Sequence, residues 1–374
     1  MGLALILIPA VVYWMLRRAA SGLSLSQSAP KYAFEGDLVV IRVTLRNEGR
    51  RCLGNPRFSE IFTPEDGAQK DIVFPQRIYA GEQIERQYEA RCLSPRGRYR
   101  YGPSVLRISD PFGWFEIQAR LETFTTIIIY PSLVNFGLDQ QRAGSARHAV
   151  SEILRAGPGE SSDFWSLRDY RPGDSPRRIH WPTSARRGDL VVREMARPSS
   201  GDLTIFLDTH RSVTGQRIRY GQFENAIRLT ASLVATALRT ARRVEVYSQS
   251  GRIGPSAQTS HAKLREWLDA FVPLEPSAPT RLSAAIGELL AGRHDGSLTV
   301  VMIHQDSMAD EATIPTLASL TQRGQQVIAV VFEGRSEKAI LTAARFTTGA
   351  RRRGIGVYRI SAGKLDHDEL EVAV

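Results

Sequence analysis

From Leu203 onward the chain alternates runs that are apolar at nearly every position with longer stretches that are apolar on one side only. The runs are Leu203–Asp208, Val244–Ser248, Leu298–His304, Val327–Phe332 and Ile355–Ile360. Between them lie 223–243, 261–272, 281–291, 310–323 and 336–348, the first with apolar residues at 223, 227, 231, 234 and 238. That spacing follows the helical period, and five-residue apolar runs between helices are strands covered on both faces. The pattern predicts a parallel sheet with helices on each side, a doubly wound α/β domain over 201–374.

The first third of the chain has a different period. Val39, Ile41, Val43 and Leu45 alternate with Val40, Arg42, Thr44 and Arg46 and stop at the turn signal Asn47-Glu48-Gly49; Ile84 to Cys92 alternates again. Further strands are expected at 71–79, 98–108, 114–121 and 123–130. Short strands without a helical period predict an antiparallel, immunoglobulin-like β-sandwich at 24–131, preceded by a small polar linker from Ser21 to Ala29. Residues 132–200 are irregular and Arg-rich. Cys52 and Cys92 are 40 positions apart, in no metal-binding spacing, and read as a reduced, buried pair on the cytosolic side of a membrane.

Met1 to Leu16 carries no charge until Arg17-Arg18. A secretory signal has its positive charge before the apolar run; here the order is reversed, with Tyr13 and Trp14 at the interface position. Residues 1–18 therefore read as a membrane anchor whose C-terminal side lies in the cytoplasm. Sixteen residues of helix cover only about 24 Å of a hydrocarbon core of about 30 Å. The net charge of +10 comes mostly from arginine, since lysine stands only at 31, 70, 263, 338 and 364. The longest run, Arg351-Arg352-Arg353, is short and the arginines are interleaved with acids. That is a solvated basic surface and not a nucleic-acid stripe.

The densest motif spans residues 163–194. It contains Leu167-Arg168, Tyr170, Gly173-Asp174, Ile179, Trp181 and Ala185-Arg186, followed closely by Val192-Arg193-Glu194. In order and spacing it resembles the bacterial family catalogued as domain of unknown function 58. Arg96-Gly97-Arg98-Tyr99-Arg100-Tyr101-Gly102 and Asp110-Pro111-Phe112-Gly113 match that family's pattern at the end of the sandwich. The resemblance implies a membrane-anchored protein with a von Willebrand factor type A-like domain. It also implies work alongside a MoxR-type AAA+ ATPase and other membrane proteins in assembling or maturing envelope complexes. Such proteins start with two closely spaced membrane helices; this chain shows one, so the hairpin is either reduced or entered part-way. Physically, Pro172 and Gly173 make a tight turn, and Ile179 and Trp181 alternate with His180 as a buried edge. Arg168, Arg178, Arg186 and Arg193, with Asp169, Asp174, Asp189 and Glu194, suit an ion-pair network, either scaffolding or a grip for an acidic partner.

Open α/β sheets bind ligands beyond the carboxyl ends of their strands. Asp208-Thr-His-Arg-Ser212 at the end of the first strand resembles the Asp-x-Ser-x-Ser loop of von Willebrand factor type A domains, whose oxygens hold Mg²⁺. On that resemblance the metal candidates are Asp208, Ser212 and Thr280. However, His210 replaces the middle hydroxyl, and Asp306 comes one residue late behind His304-Gln305. Magnesium asks for hard oxygens in octahedral array, so the loop reads first as degenerate, with Asp208 bonding backbone amides, and no cofactor is expected. Enzyme templates fail: there is no Gly-x-Ser-x-Gly elbow, P-loop or His-Glu-x-x-His, and the histidines stand singly. The sequence thus reads as an α+β multidomain, non-enzymatic interaction or scaffold protein of the inner membrane with cytosolic domains. The two alternatives are a metal-dependent adhesion protein and an envelope-modifying enzyme with no nameable catalytic group.

Overall fold

The computed structural model describes residues 2–54, 56–74, 77–110, 113–121, 124–133, 164–169, 184, 191–195, 202–211, 221–239, 242–255, 263–289, 297–334 and 336–360. Two compact units divide the chain, Met1–Ser132 and Leu133–Val374.

The first unit starts with helix α1 (Gly2–Ala20) and continues, among the described residues, as ten strands. These are β1 (Leu23–Ser28), β2 (Tyr32–Phe34), β3 (Leu38–Asn47), β4 (Arg57–Phe62), β5 (Ala68–Val73), β6 (Gln83–Arg91), β7 (Gly97–Tyr101), β8 (Ser104–Ser109), β9 (Glu116–Leu121) and β10 (Thr125–Tyr130). They form three sheets, β1-β3-β6, β2-β10-β7 and β5-β4-β8-β9, around one apolar core. The alternation in β3 is realised directly: Val39, Ile41, Val43 and Leu45 are buried. Each contributes about 1.5–3 kcal/mol by leaving water, so a one-residue slip that exposed all four is strongly disfavoured.

Several expectations are corrected here. The stretch taken as a polar linker, Ser21 to Ala29, contains β1, antiparallel to β3 with Leu23 opposite Asn47 and Ser28 opposite Arg42. Leu23 and Leu25 pack on the core while serines occupy the alternate positions. Two leucines are a weak signal, and β3's open edge supplies the rest. Gln27 of β1 donates from Nε2 to both oxygens of the buried Glu60 carboxylate at 3.0 and 3.1 Å. Ser104 Oγ (2.9 Å) and Tyr88 Oη (2.7 Å) also donate to Glu60. A single strand at 98–108 is divided at Gly102-Pro103 into β7 and β8, which belong to different sheets; proline has no N–H for a ladder. The expected strand at 71–79 is displaced to β5, which ends at Val73. The unit is not wholly antiparallel, since β2 runs parallel to β10. Cys92 is buried, whereas Cys52 is exposed.

Among the described residues no helix is long and apolar enough to cross a membrane. The apolar N-terminal segment is helical and continues past Arg17-Arg18 to Ala20, with Leu16, Ala19 and Ala20 buried in the core of its unit.

The second unit holds the antiparallel pair β11 (Phe164–Asp169) and β12 (Val191–Met195) and a six-stranded sheet. The sheet strands are β13 (Leu203–Leu207), β14 (Val244–Ser248), β15 (Gly251–Ile253), β16 (Leu298–Ile303), β17 (Gln326–Phe332) and β18 (Gly356–Ile360). The described helices are α2 (Gln222–Arg239), α3 (Leu264–Phe271), α4 (Leu282–Leu289), α5 (Gln305–Met308), α6 (Thr313–Gln322) and α7 (Glu337–Arg351). The strand order is β15-β14-β13-β16-β17-β18. All neighbours are parallel except the edge strand β15, which the apolar pattern did not announce.

The chain enters at the middle of the sheet, winds outward to β14 and β15, then restarts on the other side with β16. One face buries Phe206, Val301, Ala329 and Val331 beneath α4, α6 and α7; α2 packs on β13 and β14, backed by α3. The doubly wound arrangement expected from the apolar runs is therefore present.

Candidate functional site

The winding direction reverses between β13 and β16, which opens the carboxyl edge of a sheet to a ligand or partner. Each central strand delivers its next residue to that edge: Gln249 after β14, Asp208 after β13 and His304 after β16. β13 is buried at all five positions, so the chain must turn at Asp208, which is itself fully buried.

A buried carboxylate needs donors or a cation. Asp208 Oδ1 accepts from Gln249 Nε2 at 2.6 Å and from the backbone N–H of His210 at 3.1 Å. Its Oδ2 accepts a longer bond, 3.4 Å, from the backbone N–H of His304. Gln249 is held in that orientation by Thr209, whose N–H (2.7 Å) and hydroxyl (2.8 Å) both donate to Gln249 Oε1. The loop is then stitched to the segment before α4. His210 forms a parallel bridge with Ala278, Arg211 N–H donates to the Ala278 carbonyl, and Ala278 N–H donates to that of Thr209.

His304 is the least satisfied group at this edge. Its imidazole is buried between Phe332 (5.4 Å between centroids) and Phe223 (6.1 Å), and among the described residues neither ring nitrogen has a hydrogen-bond partner. Burial pushes its pKa below the usual histidine value, against the opposing pull of Asp208 and Asp306. Burial thus favours the uncharged ring, which packs as an aromatic body between the two phenylalanines.

Of the three expected oxygen ligands, Asp208 is at the switch point, Thr280 is exposed two residues beyond the Ala278 bridge, and Ser212 lies outside the described residues. Gln305, where a carboxylate was sought, lies over Gly334 at the end of β17, its Oε1 2.6 Å from where a Cβ would stand. Asp306 is exposed. Asp208's oxygens already accept N–H bonds, and among the described residues no three His, Cys, Asp or Glu side chains converge on a metal position. With Ser212 outside the described residues, Asp208 and Thr280 are all of the expected oxygen set that the structure describes, and magnesium asks for a fuller octahedral shell of hard oxygens. Near this edge Arg281 and Ser283 turn to Asp310 instead, at 3.5 and 2.7 Å.

Of the signature residues, Arg168, Arg193 and Glu194 lie on the β11–β12 ribbon, where Arg168 is opposite Val192, Leu167 opposite Arg193 and Ser166 opposite Glu194. Tyr170, Gly173, Asp174, Arg178, Trp181 and Arg186 lie outside the described residues. Gln249 escaped the sequence reading altogether. The signal that points to it is positional: it is the first residue after the strand beside the one that ends in Asp208. A surface cleft of about 540 Å³, lined by Pro315, Ala318, Thr321, Gln322 and Arg353, belongs to the opposite, amino edge.

Residues 166–346 match the family model described as protein of unknown function DUF58. The curated protein YeaD of Bacillus subtilis (strain 168), itself uncharacterized, is 27% identical over 216 residues, covering 54% of this chain and 50% of YeaD. The chain thus spans about half the length of that relative. Among solved structures, the CARDB domain of PF1109 from Pyrococcus furiosus aligns with 29% of the chain and 94% of that domain, at 10% identity and a TM-score of 0.22. The sporulation control protein Spo0M of Bacillus subtilis aligns with 40% of the chain and 58% of Spo0M, at 12% identity and a TM-score of 0.19. Scores this low carry no argument about the fold, which rests on the topology above.

Proposed function

Since this chain belongs, through residues 166–346, to the family of unknown function DUF58, we propose that it is a protein-interaction module held at the cytosolic face of a membrane. The carboxyl edge of its six-stranded sheet is the contact surface in this reading. One observation carries it: the switch-point carboxylate, Asp208, is consumed by Gln249 and two backbone N–H groups. The edge is thereby a fixed protein surface and needs no ion to complete it. The central strand ending in Asp208, the reversal beside it and the antiparallel edge strand β15 support reading the second unit as von Willebrand factor type A-like. The exposed apolar part of α1, followed by Arg17 and Arg18, supports membrane attachment with both units in the cytoplasm. A MoxR-type AAA+ ATPase is the proposed partner.

Capture of the nucleotide-free ATPase by the full chain tests this. Equal capture in Mg²⁺ and in chelator, lost when Arg211 or Thr280 at the edge is changed to Glu, is the expected result. Capture that needs the divalent ion, or none at all, overturns it.

A further inference from the structure

Helix α1 leaves the core of its own unit part-way along its length. Leu16, Ala19 and Ala20 are buried, whereas Ile8, Val11, Tyr13, Trp14 and Met15 are exposed. At 100° per residue those five positions spread over about 220° of the helix surface, and Leu16, Ala19 and Ala20 fill the sector between. An exposed apolar arc that wide asks for an apolar surrounding beyond the face packed on the sandwich.

One part of the sandwich rises alongside it. In the turn between β8 and β9, the Phe115 ring meets the Tyr13 ring edge-on, with centroids 5.8 Å apart and planes at 66°. Trp114, the next residue back, is 56% exposed, as much as Trp14 on the helix at 55%. Tyr13 precedes Arg17 by one helical turn, about 6 Å. Arg18 lays its guanidinium over the Trp14 ring, 5.4 Å from the centroid. Three amphipathic rings therefore stand near one level of α1, with two arginines about a turn further along it toward β1. Rings with one apolar and one polar end, backed by cations, are the chemistry of the lipid headgroup layer. A second protein copy would need no such layering of charge behind aromatics.

We propose that the β8–β9 turn is a second lipid contact. Trp114 enters the headgroup region of an anionic bilayer beside Trp14, and the sandwich lies against the surface instead of swinging from α1. The inference rests on the reading that α1 attaches the chain to a membrane. Phe124, 40% exposed with Arg100 over its ring, belongs to the turn at the other end of β9. That end lies about 17 Å away along the strand, so Phe124 stays in water.

The test uses the full chain on vesicles of phosphatidylcholine and phosphatidylglycerol, with bromine on the phosphatidylcholine acyl chains to quench nearby tryptophan. With Trp14→Phe in every sample, bromolipid should still quench emission. Adding Trp114→Phe should remove that quenching, and adding Phe124→Trp to the double variant should not restore it. A vesicle-bound chain whose quenching is unchanged by Trp114→Phe overturns the proposal, as does a Trp114 that is shielded and cross-links between copies. A chain that fails to float with the vesicles refutes α1 attachment first, and the proposal with it.

Discussion

Replacing His304 by leucine should stabilise the second unit, which inverts the usual outcome of changing a fully buried residue. The imidazole carries a donor and an acceptor into the core between Phe223 and Phe332 with no partner for either among the described residues. An unsatisfied buried polar group costs about 1–3 kcal/mol. Leucine removes both polar atoms at similar volume and forfeits aromatic contacts worth about 0.5–1.5 kcal/mol. A net gain of roughly 1–2 kcal/mol follows at pH 8. The pH dependence supplies an independent handle. Burial lowers the folded-state pKa below the ordinary value of 6.5, so below about pH 6.5 the unfolded chain binds a proton that the folded chain refuses. Stability is fully present above that pH and declines as the pH falls towards the folded-state pKa, by at most about 1.4 kcal/mol per unit. Urea unfolding of the wild type and His304→Leu from pH 8 to pH 5 measures both effects. The variant should be more stable at pH 8, and the gap should widen on acidification. A variant that is less stable at pH 8 with an unchanged acid limb would refute the reasoning, because the ring nitrogens would then be making bonds that stabilise the fold.

Asp208→Ala should lower stability by about 2–4 kcal/mol, since it strands the Gln249 amide and two loop N–H groups. Melting curves in Mg²⁺ and in chelator should coincide for the wild type, and an upward shift in Mg²⁺ that vanishes in Asp208→Ala would show a working metal site. Gly22→Ala should cost about 1–3 kcal/mol in the first unit, because its Cβ would stand 2.7 Å from the Gly49 Cα, a backbone atom that cannot swing aside; an unchanged melting temperature counts against that close approach. In native protein at pH 8 a thiol reagent should label Cys52 quickly and Cys92 only on unfolding, because burial, with Asp37 and Glu65 nearby, raises the Cys92 thiol to about 12. Two equally fast thiols would contradict the burial.

The runs at 203–207, 298–303 and 326–332 were legible as strands because burial on both faces leaves few polar positions in them, whereas Glu245 and Arg359 interrupt the half-buried runs at 244–248 and 356–360. β15 and β1 were not legible. Gly251–Ile253 is three residues long, and β1 alternates serine with only two leucines, so each exists because a neighbouring strand offers it an edge. Thr280 and Asp208 were chosen by resemblance to a metal loop, and the residues that engage Asp208 differ from those chosen. Gln249 has no motif, and His304 meets Asp208 through its backbone N–H, which no side-chain pattern encodes.

What the sequence determined by itself is the succession of elements, and with it a β-rich first unit and an α/β second one. Periodicity is a local property: an alternating or continuous apolar run has one way to hide its side chains, whatever lies elsewhere in the chain. What only the tertiary structure decided is the strand order, and hence the site. Gln249 and His304 lie 41 and 96 residues from Asp208. They meet it because β14 and β16 pair on either side of β13, a choice made by long-range packing and the handedness of the crossovers, and not by any residue near Asp208 in the chain.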